Sequence, residues 1–508
     1  MKYAAILTLV TLSSVACGGA STSSDLDQGP TILSPSARVV VPITMQIRAD
    51  DGPVNWVSTE FEVWRSSKGL RSQMVWQHIA TAQQASAVLA DGTFIPGMTA
   101  LEPWKKYIVR ARYKLEDGLS EWGADQPFRT DDGSEAVFDS QVIRDVYLTI
   151  PEASWDPIDS EAVSECEPHP RSYYPGAITI DGLQFDGAGL RAKGGCGSSR
   201  SLDEKSAFKV NLSWDDPAVD GCAATRRFMG LKKITLNNQV EDKSYTHERI
   251  GYDFFQKMGI PVPRVAPVRL YVNNELWGLY LNVESIDRRF LARRFDSKKG
   301  MMYEAGYGCD LGDRECFEPK FSTDACDTPR TDGDPTDLTP LDDLNTRLEK
   351  LADGAFYPAI TEIIDFDRFL SLWTAAAIMG YWDGYPNDAN NYRIYHDPTD
   401  NRWTLIPSGI DQLFEEDADP YEPTGMLSKR CLAETACEEA FLERLEEALN
   451  LFEASDYSVM ARTIETQIEA EVTSDPRREF DVEQWHNAVD STIDYIEARP
   501  VELRSLHL

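Results

Sequence analysis

Apolar and polar positions change rhythm once along this chain. From about 31 to 132 they alternate in short runs broken by turns. Val39-Val40-Val41, Phe61-Glu62-Val63-Trp64 and Tyr107 to Tyr113 read as strands, and no stretch repeats with a helical period. Beyond about 135, strands and helices mix. Val146 to Ile150 and Phe208 to Leu212 read as strands. Val268 to Val272 and Leu279 to Val283, joined through Asn273-Asn274, read as a hairpin. Thr246 to Lys257 is amphipathic and stops at Gly259 and Pro261. Thr339-Pro340 opens a helix whose apolar stripe is Leu341, Leu344, Leu348 and Leu351. Phe366 to Met379 is an apolar helix with Asp365 as its expected cap. It ends at Gly380 and a loop follows to Tyr392. Tyr392 to Tyr395 and Arg402 to Ile406 then make a second hairpin around Asp397-Pro398-Thr399-Asp400. Strands come early and helices late, which is an α+β order.

At 508 residues the chain calls for two or three domains. Asp131-Asp132-Gly133-Ser134 marks a boundary, leaving 31–132 and 135–508 as the two folded parts. The net charge of −34 would repel a phosphate backbone, so no nucleic-acid partner is expected. That charge suits a solvated extracellular protein, a divalent cation or a basic polypeptide partner.

The first residues read as an address. Met1-Lys2 is positive, Tyr3 to Leu12 is apolar but too short to span a membrane, and Ser14-Val15-Ala16-Cys17 resembles a bacterial lipobox. A signal peptide over 1–16, lipidation of Cys17 and a flexible tether over 17–30 follow. A protein so anchored would be exported, at the outer membrane or cell surface of a Gram-negative bacterium, and would meet the membrane through its lipid alone. Eight further cysteines are an even count, so disulfides are expected, with Cys431 and Cys437 a local pair. An acidic insertion over 309–343 holds Asp332, Asp334 and Asp337. These could ligate a structural Ca²⁺, although Pro335 interrupts them and a solvated loop is the simpler reading.

Leu101, Pro103, Tyr107, Val109 and Arg110, followed by Ser120, Trp122, Phe128 and Thr130, resemble a fibronectin type III domain. The resemblance implies an all-β sandwich in which Tyr107 forms a tyrosine corner.

The chemistry centres on the second hairpin. A hairpin brings its outer ends together, so Asn391 and Asp411 should lie side by side, with Asp383 on the loop before them. The order of helix, loop Asp, Asn, hairpin and Asp is that of a kinase catalytic loop and its metal-binding Asp. Asp383 to Tyr395 and Trp403 to Phe414 resemble blocks of the CotH (spore coat protein H) kinase family. So do Gly189-Leu190-Arg191-Ala192-Lys193-Gly194, Lys205 to Leu212, Asn273 to Phe290 and Ile496-Glu497-Ala498-Arg499, in the same order.

The resemblance implies an atypical protein-kinase-like domain with a strand-rich small lobe and a helical large lobe. Its activity would be transfer of the ATP γ-phosphate to Ser/Thr of exported or surface proteins. Asp383 would orient or deprotonate the acceptor hydroxyl. Asn391 and Asp411 would hold Mg²⁺ or Mn²⁺. Lys205 or Lys209, on one strand face, would steady the phosphates, and Glu248 would pair with that lysine. The loop carrying Gly194 and Ser198 would approach the phosphates, and Glu284 would sit at the nucleotide hinge. The chain departs from the family at Ser408-Gly409, where a Trp-Asp pair is usual, and at Ser206 and His247, where Lys and Arg are usual. The alternative is a kinase-like scaffold that organises a surface or coat assembly.

Overall fold

The computed structural model describes residues 29–506, apart from 35–37, 41–45, 51, 54, 82, 97, 99, 104, 164–170, 215–225, 320–337, 353 and 416–417. The expected signal peptide, Cys17, most of the expected tether, Cys166, Cys222, Cys326 and the candidate calcium ligands Asp332, Asp334 and Asp337 lie outside the described residues. No described helix is long and apolar enough to cross a membrane. The chain divides into two compact units between Asp132 and Gly133.

The first unit is a β-sandwich. A small sheet of Ile32–Ser34, Gln46–Ala49 and Ser86–Val88 faces a larger one built around Trp56–Ser67, Leu70–Ile79, Lys106–Leu115 and Gln126–Asp131. Alternate residues of both sheets meet in one core containing Ile47, Phe61, Val63, Trp76 and Val109. Tyr107 is fully buried, and its hydroxyl accepts the Glu102 backbone N–H at 3.1 Å. This is the tyrosine corner that the sequence implied.

The second unit opens with a closed seven-stranded barrel. Its strands are β1 (Arg144–Thr149), β2 (Tyr174–Ile180), β3 (Leu183–Lys193), β4 (Ala207–Asn211), β5 (Lys233–Asn237), β6 (Val265–Val272) and β7 (Glu275–Val283), in the order β1-β2-β3-β4-β5-β7-β6. β6 closes the ring by running parallel to β1. Asn273 and Asn274 both take positive φ, the left-handed pair that a tight β6–β7 turn requires. Leu190, Ala192, Phe208, Val210, Ile234 and Leu236 fill the interior. Their strand neighbours must therefore face outward.

A four-stranded sheet lies farther along: β8 (Met302–Ala305), β9 (Phe317–Pro319), β10 (Tyr392–Asp397) and β11 (Arg402–Pro407), in the order β9-β8-β10-β11. Long helices complete the unit. They include α1 (His247–Lys257), α2 (Phe366–Met379), α3 (Thr435–Glu453), α4 (Tyr457–Ser474) and α5 (Val482–Ser505). α2 is buried along nearly its whole length, so it is the post against which the others pack. Disulfides join Cys309 to Cys316 and Cys431 to Cys437.

Two local expectations change. Asp365 precedes α2 but its side chain makes no capping hydrogen bond; it lies beside Arg368 and Arg402 instead. The loop after Gly380 contains a short helix, Tyr385–Asp388.

Candidate functional site

A cavity of about 390 Å³ lies between the barrel's outer face and the β8–β11 sheet. Sheet pleating explains its barrel wall. Arg191 pairs with Lys209 across β3 and β4, and Lys209 pairs with Thr235 across β4 and β5. With Lys193, Lys233 and Asn237 these residues alternate with the core set and line the cavity. Glu248, Glu284, Arg393, Gly409 and Asp411 complete the lining.

The two candidate lysines do not share a face. β4 begins only at Ala207, after a turn, so Lys205 lies outside its alternation. Lys205 is buried and its Nζ donates to Asp475 Oδ2 at 2.7 Å and to Tyr245 Oη at 3.0 Å. Burial pulls the ammonium down, but Tyr245 and Asp475 outweigh it and hold Lys205 above its ordinary range. Asp475 also accepts the Leu279 N–H at 3.1 Å beside Gly278, where a β-carbon would meet its carboxylate at about 2.1 Å. Lys205 is thus committed to a junction between barrel and helices, away from the cavity. Lys209 lines the cavity and forms no ion pair among the described residues. Burial, with the charges of Arg191, Arg393 and Lys193, pushes its ammonium well below the usual range.

A third lysine was missed. Lys193 Nζ donates to Asn237 Oδ1 at 3.1 Å, and Asn237 Nδ2 donates to Glu248 Oε2 at 2.6 Å. Glu248 sits in the first turn of α1 and is buried. Burial and the Asp411 charge raise its carboxyl to about 8, against the pull of Lys193 and Asn237. The glutamate therefore answers to Lys193 through an asparagine. Gly187 and Gly189 hide the strand that carries Lys193, so alternation along the sequence does not place it on this wall.

Gly194 and Ser198 do not line the cavity. They close a tight turn: Gly194 has φ +131°, its β-carbon would strike Ser199 Cα at 2.7 Å, and Ser198 Oγ accepts the Gly195 N–H at 3.1 Å. The turn abuts Glu241, whose carboxyl rises to about 7 through burial and the Asp411 charge, with Lys193 and Ser198 opposing. Cys196, in the same turn, is disulfide-bonded. Glu284 lines the cavity but is already neutralised. Arg264 Nη2 donates to its Oε1 at 2.7 Å and Arg293 donates to Oε2, so despite burial its carboxyl falls below the ordinary range.

The second hairpin forms as expected, with Tyr392 opposite Pro407 and Asp397 opposite Arg402. At its foot Ser408 N–H donates to the Asn391 carbonyl at 2.8 Å, and Tyr381 Oη reaches the carbonyls of Ser408 and Asn391 at 2.6 and 3.0 Å. Asn391 Nδ2 donates to Asp383 Oδ2 at 2.5 Å, and Asn390 Nδ2 to Asp383 Oδ1 at 2.7 Å. Asp383 and Asn391 are therefore in direct contact, while Asp411 reaches Asp383 only through its field. Burial first, then Asp388 and Asp411, raise the Asp383 carboxyl against its two amide donors. His247 Nδ1 lies 2.9 Å from the Asp411 carbonyl and must carry the proton there, because a carbonyl only accepts. Arg499 donates to the carbonyls of Ala377 at 3.1 Å and Ala418 at 2.7 Å, tying the end of α2 just before the Asp383 loop.

The donors suit a hard cation. Asp411, Asp383 and Asn391 offer only oxygen once the Asn391 amide nitrogen is turned to Asp383. Asn391 Oδ1 faces Gly409, where a β-carbon would come within 2.8 Å of it, so that space exists because residue 409 is glycine. The field of Asp411 also helps to raise four carboxyls, those of Glu241, Glu248, Asp383 and Glu415, an excess of negative charge that a cation would relieve. The carboxylates alone do not form a cage: no group of three His, Cys, Asp or Glu among the described residues is disposed to hold a metal.

Comparison with known proteins gives one consistent answer for the second unit. The family described as CotH kinase protein matches residues 190–503. The inner spore coat protein H of Bacillus subtilis is 24% identical over 293 residues, covering 55% of this chain and 79% of its own length. Invasin CotH3 of Rhizopus delemar is 24% identical over 188 residues, covering 35% of this chain but only 31% of its own. For the first unit, a human fibronectin type III domain is 16% identical, covering 23% of this chain and 94% of its own, at a TM-score of 0.15, too low to carry an argument.

Proposed function

Because the chain belongs to the CotH family, we propose that its second unit is a variant of the two-lobed protein-kinase fold that transfers the ATP γ-phosphate to Ser/Thr hydroxyls of exported or surface proteins. The observation that carries this reading is the Asp383–Asn391 hydrogen bond at the foot of the hairpin, with Asp411 within electrostatic reach and bordering a cavity whose barrel wall carries Arg191, Lys193, Lys209 and Lys233. Lys193 and Lys209 meet the phosphates from the barrel wall, in place of Lys205. Asp383, raised by burial, accepts the proton of the acceptor hydroxyl as its oxygen forms the new bond to phosphorus and the bond to the ADP oxygen breaks. Asn390 and Asn391 hold that carboxylate in one orientation. Asn391 and Asp411 would hold Mg²⁺ or Mn²⁺, which supplies charge neutralisation on the phosphates.

Relatives named for the spore coat and for invasion, together with two disulfides, support an exported or surface location. The lipid anchor at Cys17 and an outer-membrane address remain part of this proposal. Gly409, standing where the family usually carries Asp, favours the second reading, a nucleotide-binding scaffold of a surface assembly. Purified protein incubated with Mn²⁺ or Mg²⁺ and labelled ATP separates the two. Asp383→Ala and Asp411→Ala should each lower transfer by roughly 10² to 10⁴. Equal labelling by wild type and both variants removes the catalytic assignment; nucleotide-induced thermal stabilisation without transfer supports the scaffold.

A further inference from the structure

The second unit begins with a segment that lies before residues 190–503, the part matched by the CotH family. Ser134–Phe138 forms one short helical turn, and Val137 and Phe138 are buried in the barrel core. Two arginines hold this segment. Arg264 stacks over the Phe138 ring at 4.5 Å, donates from Nη2 to Ser134 Oγ at 2.9 Å and pairs through Nη1 with Glu135 Oε2 at 2.9 Å. The same guanidinium grips Glu284, with Nη2 to Oε1 at 2.7 Å and Nε to Oε2 at 3.2 Å. Glu284 lines the cavity, as does Pro263 beside Arg264. A little farther on, the Ser140 carbonyl accepts Arg249 Nη2 at 3.1 Å and Gln467 Nε2 at 2.9 Å. Arg249 is buried, and Ser140 and Gln467 are its only acceptors among the described residues. It follows Glu248, another residue of the cavity lining, on α1. One short segment thus holds, through one arginine each, the wall that carries Glu284 and the start of α1.

We propose that residues 133–140 are a strap that positions two walls of the cavity, with Ser134 and Glu135 acting as positioning residues for nucleotide binding. This rests on the phosphotransfer reading and adds the regulation of its site. The transmission is geometric. A guanidinium is a rigid planar fork, so acceptors that fix Nη1 and one side of Nη2 also fix where Nε and the other Nη2 hydrogen point. Those point at Glu284. Released from the strap, Arg264 keeps its carboxylate partner but swings with it, and the stretch from Val283 to Leu291 loses a fixed edge. α1 loosens at Arg249 in the same event, because that buried guanidinium loses one of its two acceptors. Strap seated and strap released are two states of the cavity, and a nucleotide that binds the seated state better favours it in return. The strap continues directly from the end of the first unit at Asp132, so the site is open to control from outside the family domain.

The test uses the full chain carrying Ser134→Ala and Glu135→Ala together, which leaves Val137 and Phe138 in place and alters no residue of the cavity lining. Glu135→Gln, which keeps an acceptor, is the conservative control. Hydrogen exchange without ligand reads the walls. Calorimetry with Mn²⁺ and ATP, and the KM and kcat of label transfer, read the site. The double variant should exchange faster over 283–291 and 247–252, while β2 and β3 keep wild-type rates. Its Kd and KM for ATP should rise about fivefold with kcat unchanged, because the strap touches neither Asp383 nor Asn391. Glu135→Gln should lie near wild type, and nucleotide should slow exchange over 134–140 in the wild type. Unchanged exchange at both walls overturns the proposal, as does an unchanged Kd for ATP beside loosened walls. Faster exchange spread evenly through the barrel also overturns it, since the strap would then be only part of the fold. Should wild type bind no nucleotide, the phosphotransfer reading falls, while loosening confined to the two walls retains the strap.

Discussion

The junction around Lys205 and the cavity wall around Lys209 are neighbours in sequence and opposites in electrostatics. Lys205 is enclosed by a carboxylate and a phenol, and Asp475 in turn takes two backbone N–H groups, from Leu279 and Arg477. Lys209 lies beside Arg191 on the neighbouring strand and in the fields of Arg393 and Lys193, opposed by Glu304, with no ion pair among the described residues. A buried charge whose partners are complete belongs to the architecture. One whose partners are missing is held for something that arrives later. Glu284 and Glu248 repeat the contrast among acids: the first is clasped by two arginines and lowered, while the second is raised to about 8.

The sharpest way to break this comparison is to remove one partner on each side. Asp475→Ala should cost about 3–5 kcal/mol, because it strands the Lys205 ammonium in a closed site. Replacing both by apolar residues, Lys205→Met with Asp475→Leu, should recover much of that loss. Lys209→Met should leave stability unchanged or slightly raised, since it removes a repelled ammonium, yet reduce the thermal shift produced by ATP. Urea denaturation with and without nucleotide measures all three. A Lys209→Met variant as unstable as Asp475→Ala would end the distinction.

Next in size is the pH response of the two raised glutamates. Glu248 rises from 4.5 to about 8 on folding and Glu241 to about 7. The folded state therefore binds these protons more tightly than the unfolded chain. Their contribution to stability is full below about 4.5 and is lost as pH climbs through about 7 to 8. Stability of the cation-free protein should decline across that window, and Glu248→Gln should flatten the decline. Denaturation midpoints from pH 5 to 8.5 check it; a wild-type profile matching Glu248→Gln would show that Glu248 does not hold its proton in the folded state.

The sequence made some of this visible and concealed the rest for physical reasons. The hairpin carrying Asn391 was legible because Gly380, the Asp397–Asp400 turn and the alternating Tyr392 to Tyr395 and Arg402 to Ile406 runs all point to one local structure. The β6–β7 turn was legible from Asn273-Asn274 for the same reason. β3 was not: Gly187 and Gly189 weaken its alternation, so only its family block was noticed. Without β3 and β5 the barrel could not be seen to close, and Lys193 could not be placed beside Asn237 and Glu248. Lys205 was misplaced because period-two reasoning assumed a strand that starts two residues later. Its true partner, Asp475, follows α4 far along the chain, and no local pattern couples them.

A smaller effect sharpens the cavity side. Gly409 has φ +61° and sits beneath the Asn391 amide. Gly409→Ala should cost about 1 kcal/mol in backbone strain. It should also displace Asn391 from Asp383 and weaken Mn²⁺-dependent nucleotide binding more than it weakens the fold. Comparing the denaturation midpoint with the nucleotide thermal shift separates the two losses; equal losses would mean that the glycine serves only the chain's turn.

The smallest predicted effect lies in the sandwich, where the same rule of completed partners can be read on a single hydroxyl. Tyr107→Phe keeps the ring packed in its core and removes only the oxygen that accepts the Glu102 N–H. The amide is partly buried, so water can replace the hydroxyl only in part, and the cost should be about 1 kcal/mol. The variant should lower the denaturation midpoint of the first unit, measured on residues 29–132 expressed alone if that segment folds, or otherwise as the sandwich transition of the whole chain. A loss near the 3–5 kcal/mol expected at Asp475 would mean that the corner is a closed polar site like the Lys205 junction; no loss would mean that solvent already satisfies the Glu102 amide.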